Sequence, residues 1–286
     1  MADPKRRLPG NVAGEFFVDS RCIDCDACRQ LAPEVFAAQG GYSVVRHQPA
    51  TPEERRHAAQ AVFACPTGSI GATGSSDYLY ARDDFPLRLE DSVYYCGFNS
   101  EKSYGGNSYF VRHPEGNWLI DSPRFTRHLV DKFREAGGIR YIFLSHRDDV
   151  ADAAKYAAEF GAERIIHRLE LHAQPDAEIV VDGTDDRVIR PEFIVIPTPG
   201  HTRGHCCLLY QDRFLFTGDH LDWDRDTQQL DASSDYCWYS WPQQVDSIAR
   251  LLNHSFEWVL PGHGQRITLP PLEMHRQLED LVRRIK

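Results

Sequence analysis

The sequence predicts an α+β protein of two domains, a small cysteine-bearing unit at residues 1–84 and a larger unit at residues 85–286. Three observations carry this. Cys22, Cys25, Cys28 and Cys65 fall in a metal-binding spacing near the start of the chain. From residue 85 onward short apolar strands alternate with amphipathic helices. Three late strand ends, in TPGHTRGH, FTGDH and LPGHG, place His or Asp beside Gly. The length suits one large or two modest domains.

In RCIDCDACRQLAP, three cysteines at two-residue gaps wrap one corner of a cubane cluster, and a fourth thiolate must come from elsewhere. Cys65, followed by Pro66, supplies it. Where two-cluster bacterial ferredoxins carry a fourth Cys before Pro, this chain has Ala32-Pro33, so a single cluster is expected. TPEERRHAAQAVFACP predicts a helix that delivers Cys65. Thr51 is its N-cap, Pro52 its first residue, and Glu54 completes a capping box. Phe16, Val18, Ile23, Val35 and Phe36 are expected to shield the cluster. The alternative is a four-cysteine zinc site, but zinc sites favour two separated Cys-x-x-Cys pairs. Over roughly residues 13–75 the pattern resembles a single-cluster [4Fe–4S] ferredoxin. The resemblance implies a [4Fe–4S] cofactor and electron transfer.

The second domain reads in order. Tyr109–Arg112 and Trp118–Ile120 form a hairpin about Pro114-Glu115-Gly116-Asn117. RFTRHLVDKFREAGG is an amphipathic helix with Phe125, Leu129, Val130 and Phe133 on one side, stopped by Gly137-Gly138. IRYIFLS is a buried strand, and DVADAAKYAAEFGA a helix ended by Gly161. RIIH and EFIVIPTPGH are strands, HCCLLYQDRFLFTGD a second hairpin, WPQQVDSIARLLNH a helix, and WVLPGHG a last strand and turn. Cys206 and Cys207 are neighbours on a strand and face opposite ways, so at least one packs in the core. Tyr236, Trp238 and Trp241 either wall a substrate pocket or form a core patch.

Glycine beside each late His or Asp lets the backbone turn sharply and approach a bound ion. Together with LSHRDD, the order is His146, His201, Asp219, His263. Four such positions, each after an apolar strand, resemble the metallo-β-lactamase superfamily over roughly residues 88–265. The resemblance implies an αβ/βα sandwich with metal at one edge between the sheets. It makes His146, His201, Asp219 and His263 metal ligands, and Asp121 in LIDSP a prop beneath the metal loop. The family's loop, His-x-His-x-Asp-His, is reduced here: His146, Asp148, Val150 and Ala151 occupy the four ligand places. With a two-residue insertion, Asp152 takes the place of the lost Asp. One divalent metal is expected, iron favoured and zinc the alternative. Two imidazoles and a carboxylate at His146, His201 and Asp219 have the composition of a mononuclear non-haem iron triad, and the superfamily's persulfide dioxygenases are similar. Flavodiiron proteins carry a carboxylate where Asp148 stands. Asp148 and Asp149 either cap the following helix or reach the metal, and Asp152 lies either on a solvated helix face or in the site. With His205 these three are the candidate catalytic residues. His205 and His220 line the pocket or back the ligands.

A net charge of −10 with no basic run excludes nucleic acid and anionic membrane as natural partners. No apolar run is long enough to span a bilayer, and the N-terminus lacks the apolar segment of a signal peptide, so the cytoplasm is expected. The leading reading is an oxidoreductase: a mononuclear iron acts on a small molecule through thiol, persulfide or O2 chemistry, and the cluster exchanges electrons with it and with a redox partner protein. A thioester or lactone hydrolase with a structural or sensing cluster is second, and a non-catalytic redox-docking protein third. The fusion favours the first, because a cluster has little value to a plain hydrolase.

Overall fold

The local signals at the start of the chain are realised. The computed structural model describes residues 2–74 and 77–286. The first unit contains β1 (Phe16–Val18), α1 (Ala27–Leu31), β2 (Phe36–Gln39), β3 (Tyr42–Val45), α2 (Pro52–Ala64) and β4 (Ile70–Ala72). β1 pairs antiparallel with β4, and β2 with β3. The capping box on α2 is formed: Glu54 N donates to Thr51 Oγ1 at 3.1 Å, and Thr51 N donates back to the Glu54 carboxylate at 3.3 Å. Cys65 is the first residue past that helix. Phe16, Val18, Val35, Phe36, Ala58 and Ala61 make the small core. A helical turn at Asp77–Asp84 packs on α2, where Gln60 Nε2 donates to Asp84 Oδ2 at 2.8 Å.

The second unit begins with β5 (Leu87–Glu90), β6 (Val93–Tyr95), β7 (Tyr109–Val111), β8 (Trp118–Ile120), α3 (Arg127–Glu135), β9 (Tyr141–Phe143), α4 (Ala153–Phe160), β10 (Glu163–His167) and β11 (Ile179–Val181). These seven strands form one sheet in the order β11-β10-β9-β8-β7-β6-β5. The second half has β12 (Arg187–Arg190), β13 (Phe193–Pro197), β14 (Cys206–Tyr210), β15 (Phe214–Gly218), β16 (Asp222–Asp224), β17 (Gln229–Asp231), α5 (Trp241–Arg250), β18 (Trp258–Pro261), β19 (Ile267–Thr268) and α6 (Pro271–Ile285). Six of its strands build a second sheet in the order β12-β13-β14-β15-β18-β19.

Each sheet carries helices on its outer face, giving the expected αβ/βα sandwich. Leu129, Val130 and Phe133 of α3 and Tyr156 of α4 pack on the first sheet. Ile248 of α5 and Met274, Leu278 and Leu281 of α6 cover Cys207, Leu209 and Val259 of the second. Between the sheets Trp118 stacks on Phe193 at 4.0 Å, and Tyr109 meets Phe216 at 5.4 Å. Strands covered on both faces carry continuous apolar runs, so β14 is buried throughout, with Cys206 turned into the inter-sheet core and Cys207 toward the outer helices. In the second unit the sequence reading does not include β5, β6, β11, β12, β16, β17, β19 or α6. For α6 the signal is present: Met274, Leu278, Leu281 and Val282 recur at helical spacing behind Pro271.

Replacing Trp118 by Ala leaves a large void at the centre of the sandwich. It is expected to lower the second unit's unfolding free energy by about 3–5 kcal/mol, read as an earlier chemical-denaturation midpoint with an unchanged circular dichroism spectrum before unfolding.

Candidate metal centres

Cys22 and Cys25 lie on the loop between β1 and α1, Cys28 in α1, and Cys65 beyond α2; all four line one pocket. Asp24 and Asp26 take positive φ values of 58° and 67°, which bend the loop around the pocket. Short polar side chains tolerate that conformation best after glycine. Arg29 braces both turns, with Nη1 at 2.5 Å from Asp24 Oδ1 and Nε at 2.6 Å from Asp26 Oδ1. The N–H groups of Asp24 and Ser43 point at Cys22 Sγ at 3.4 Å, and that of Ser69 points at Cys65 Sγ at 3.3 Å. Val18 and Ile23 line the pocket as expected, whereas Phe16, Val35 and Phe36 sit in the core behind it.

These cysteines fit a cluster better than a single ion. Tetrahedral zinc with bonds of about 2.3 Å holds its sulfurs about 3.8 Å apart. Among the described residues no three cysteine sulfurs lie within 4.8 Å of one another. Burial pushes the Cys25 thiol up to about 12, so holding it as a thiolate needs the positive charge of a bound metal.

The second centre forms where β9, β13, β15 and β18 end at one edge of the sandwich. Its support is layered. Asp121 follows β8 with φ of 52°, and its Oδ1 accepts hydrogen bonds from Ser145 N at 2.8 Å and Ser145 Oγ at 3.0 Å. With its proton given to Asp121, Ser145 Oγ accepts one from His146 Nδ1 at 2.9 Å. His146 is thereby oriented with Nε2 toward the site, and the loss of its Nε2 proton to an entering ion frees a lone pair there. Burial pushes the Asp121 carboxyl up to about 7. Asp121 is thus the prop that the resemblance implied.

Around His146 the donors converge. Asp219 Oδ2 stands 3.6 Å from both His146 Nε2 and His201 Nε2. Asp148 Oδ2 stands 3.8 Å from His146 Nε2 and 4.0 Å from His201 Nε2. On the other side His263 Nε2 lies 3.9 Å from Asp219 Oδ2 and 4.0 Å from Asp149 Oδ1. His146, Asp149 and Asp219 also form a tight group, each offering a donor within 4.8 Å of the others. Asp219 therefore faces two overlapping sets, one with His146, His201 and Asp148, the other with Asp149 and His263. The sequence reading expected one ion; these donors offer places for two.

The donors fit cations. His146 Nε2, His201 Nε2, both Asp149 oxygens and Asp219 Oδ1 are buried with no hydrogen-bond partner among the described residues. Burial, then the Asp219 charge, pushes Asp149 well above the usual carboxylate range. Burial opposes protonation of His146, yet Asp219 and the neighbouring carboxylates raise it to about 10. Burial lowers His201 to about 4, against the pull of the Asp219 charge.

Asp149 takes the place that sequence reasoning left open. The turn at Arg147–Asp149 leaves the Asp148 side chain 47% exposed at the mouth and buries Asp149 to 2%. Neither caps α4, whose N-cap is Asp152. Asp152 does not enter the site, and the expectation that it replaces the missing loop Asp is corrected. Its carboxylate binds Lys102 Nζ at 2.7 Å and Lys155 Nζ at 3.1 Å and accepts from Phe125 N at 2.9 Å; against its burial, these contacts hold it down to about 2. His205 is also not placed as an acid or base. It is fully buried, and its Nε2 accepts from Asp219 N at 3.3 Å, which leaves Nδ1 to donate to Thr198 Oγ1 at 2.9 Å. It positions Asp219. His220 stacks behind it at 5.3 Å. Of the aromatic alternatives, the core patch is excluded: Tyr236 and Trp238 are exposed, Trp241 is half-buried, and the Trp238 ring stands 6.2 Å from that of His201.

Comparison with known proteins agrees with this fold. The family model described as the metallo-beta-lactamase superfamily matches residues 103–263, and that of the 4Fe-4S single cluster domain of ferredoxin I matches residues 18–72. The solved structure of DIM-1 metallo-beta-lactamase is similar with a TM-score of 0.53 at 16% identity, over 70% of this chain and 96% of that one. A metallo-beta-lactamase family protein from Thermus thermophilus aligns with a TM-score of 0.51 at 16% identity, over 69% and 80%. A hydroxyacylglutathione hydrolase of Citrobacter koseri is 29% identical over 127 residues, 43% of this chain and half the length of that relative.

Two outcomes follow from the layered support. Ser145→Ala is expected to weaken metal binding at the second centre about 10–100-fold, by competition with a chelator, while the cluster's visible absorbance stays unchanged. Because His146 holds a proton below about 10, an entering ion must displace it. Apparent affinity is therefore expected to rise about tenfold per pH unit between pH 6 and 9, and calorimetry in buffers of different ionisation enthalpy should register the released proton.

Proposed function

Because the chain belongs to the metallo-β-lactamase superfamily and carries a single-cluster 4Fe-4S domain before it, we propose that it is a metal-dependent oxidoreductase acting on a small molecule. The observation that carries this reading is the donor set itself. Three imidazoles and three carboxylates, with Asp148 and Asp149 in the loop, suit non-haem iron with open coordination positions. When bound, iron there would activate O2 or a thiol or persulfide group, and the [4Fe–4S] cluster would exchange single electrons with a partner protein.

The chain's own residues divide the remaining work. His146, His201 and Asp219 hold the ion, with Asp148 completing the set from the open side. Asp149 and His263 hold a second ion. Ser145 and His205 fix the orientation of the first two ligand types. Asp148 and the half-buried His263 face solvent and are the groups that can move a proton in or out. Trp238 and Tyr104 stand over His201 and His263 at 6.2 and 6.5 Å, and both are 60% exposed, so they form the rim that a substrate crosses.

A second reading, a thioester or related hydrolase, is favoured by the likeness to the hydroxyacylglutathione hydrolase. It would use zinc to lower the pKa of bound water to about 7. Metal analysis of anaerobically purified protein separates the two. About five or six irons per chain with little zinc is expected for the oxidoreductase. About four irons and one or two zincs would sink it and support the hydrolase. His201→Ala is expected to remove second-centre metal and leave the cluster absorbance, and Cys28→Ser to do the reverse.

A further inference from the structure

The two centres meet at one short loop. Gly105 and Gly106 lie between β6 and β7, with the cysteine pocket on one side and the metal loop on the other. A Cβ on Gly105 would stand 2.6 Å from Cys25 Cβ and 2.9 Å from its Sγ, and a Cβ on Gly106 would stand 2.8 Å from Asp149 Oδ1. A side chain at Gly105 would collide with Cys25, and Gly105 has φ of 88° besides; at Gly106 it would push the Asp149 carboxylate out of place. Consecutive Cα atoms are 3.8 Å apart, so Cys25 Sγ and Asp149 Oδ1 are separated by less than about 13 Å.

The loop is held rigidly. Gly105 N donates to Ser100 O at 2.8 Å, Gly106 N to Ser103 O at 2.9 Å, and Asn99 Nδ2 to Gly105 O at 2.6 Å. The next residue makes a second, independent tie. Asn107 N donates to Gly262 O at 2.6 Å, beside His263, and Asn107 Nδ2 donates to Gln30 Oε1 at 3.1 Å, two residues past Cys28. All of Asn99, Asn107 and Gly106 are buried. Residues 99–107 thus touch the backbone or side chains that carry Cys25, Cys28, Asp149 and His263.

We propose that this loop is a strut shared by the two centres, with Gly105-Gly106 as their common wall, so that the cysteine cradle and the carboxylate–histidine site form one coupled pair. The geometric claim stands on the contacts alone; its use, bringing a single-electron carrier beside a redox site, rests on the oxidoreductase reading.

The test uses the full cluster-loaded chain with Co2+ or Zn2+ in the second centre, reduced with dithionite. Electron paramagnetic resonance of the reduced cluster should saturate at several-fold higher microwave power with paramagnetic Co2+ than with diamagnetic Zn2+. Identical saturation with both ions bound would overturn the proposal. Gly106→Ala should raise the Zn2+ dissociation constant about tenfold or more, as loss of a ligand-positioning contact does, with cluster absorbance per chain retained. An unchanged dissociation constant would remove the shared wall. Where that variant fails to fold, the wild-type resonance experiment decides alone. Neither readout depends on which metal the protein natively holds, so a zinc result in metal analysis would remove the oxidoreductase reading and leave the strut intact.

Discussion

Buried negative charge without a protein partner governs the second centre. Asp149 and Asp219 bring oxygens within 4.8 Å of each other, and Asp149 has no hydrogen-bond donor on either oxygen among the described residues. At an effective dielectric constant near 20, two unit charges 4 Å apart repel by about 4 kcal/mol. Each unsatisfied buried polar atom adds about 1–3 kcal/mol of desolvation. A cation placed among these donors would relieve both costs. The raised proton affinity of His146 is the same fact seen from the other side: the site attracts positive charge, and a proton is its weakest occupant.

The supporting layers follow from that demand. Asp121, Ser145 and His146 form a chain of hydrogen bonds that turns His146 Nε2 toward the site, where a bound ion takes the place of its proton. His205, kept neutral by burial, does the corresponding work for Asp219 through its backbone N–H. Glycines stand where the loops come closest. Gly262 has room for no side chain, because a Cβ there would lie 2.6 Å from Asp149 and 2.7 Å from Asp219. The loop replaces the superfamily's second and last imidazole places by Asp148 and Ala151, and its Asp by Val150, which shifts the donors toward hard oxygen.

The small domain docks through polar contacts that surround an apolar patch. Arg124 Nη1 donates to Pro66 O at 3.3 Å and Arg225 Nη1 to Arg29 O at 2.9 Å, both reaching from the sandwich to carbonyls near the cysteine pocket. Phe63 of α2 meets Phe98 at 5.9 Å. These contacts fix which face of the cluster pocket looks toward the metal loop, and they place it beside residues 99–107.

The sequence alone pointed to a cysteine-bearing unit before a sandwich and to most of the candidate donors, because those signals are local. Thiol spacing, the Thr51–Glu54 capping box and Gly-His pairs after apolar strands are each set by a few neighbouring residues. The sandwich was legible too, since doubly covered strands must read as apolar runs. What only the tertiary structure decided is direction and company. Asp148, Asp149 and Asp152 are equivalent in sequence, yet one stands at the mouth, one is buried among the donors and one is neutralised by Lys102 and Lys155. Those fates depend on a single turn at residues 147–149 and on a lysine about fifty residues away. Gly105 and Gly106 carry no signal until Cys25 and Asp149 arrive on either side of them, because a glycine's importance lies in what surrounds the missing side chain.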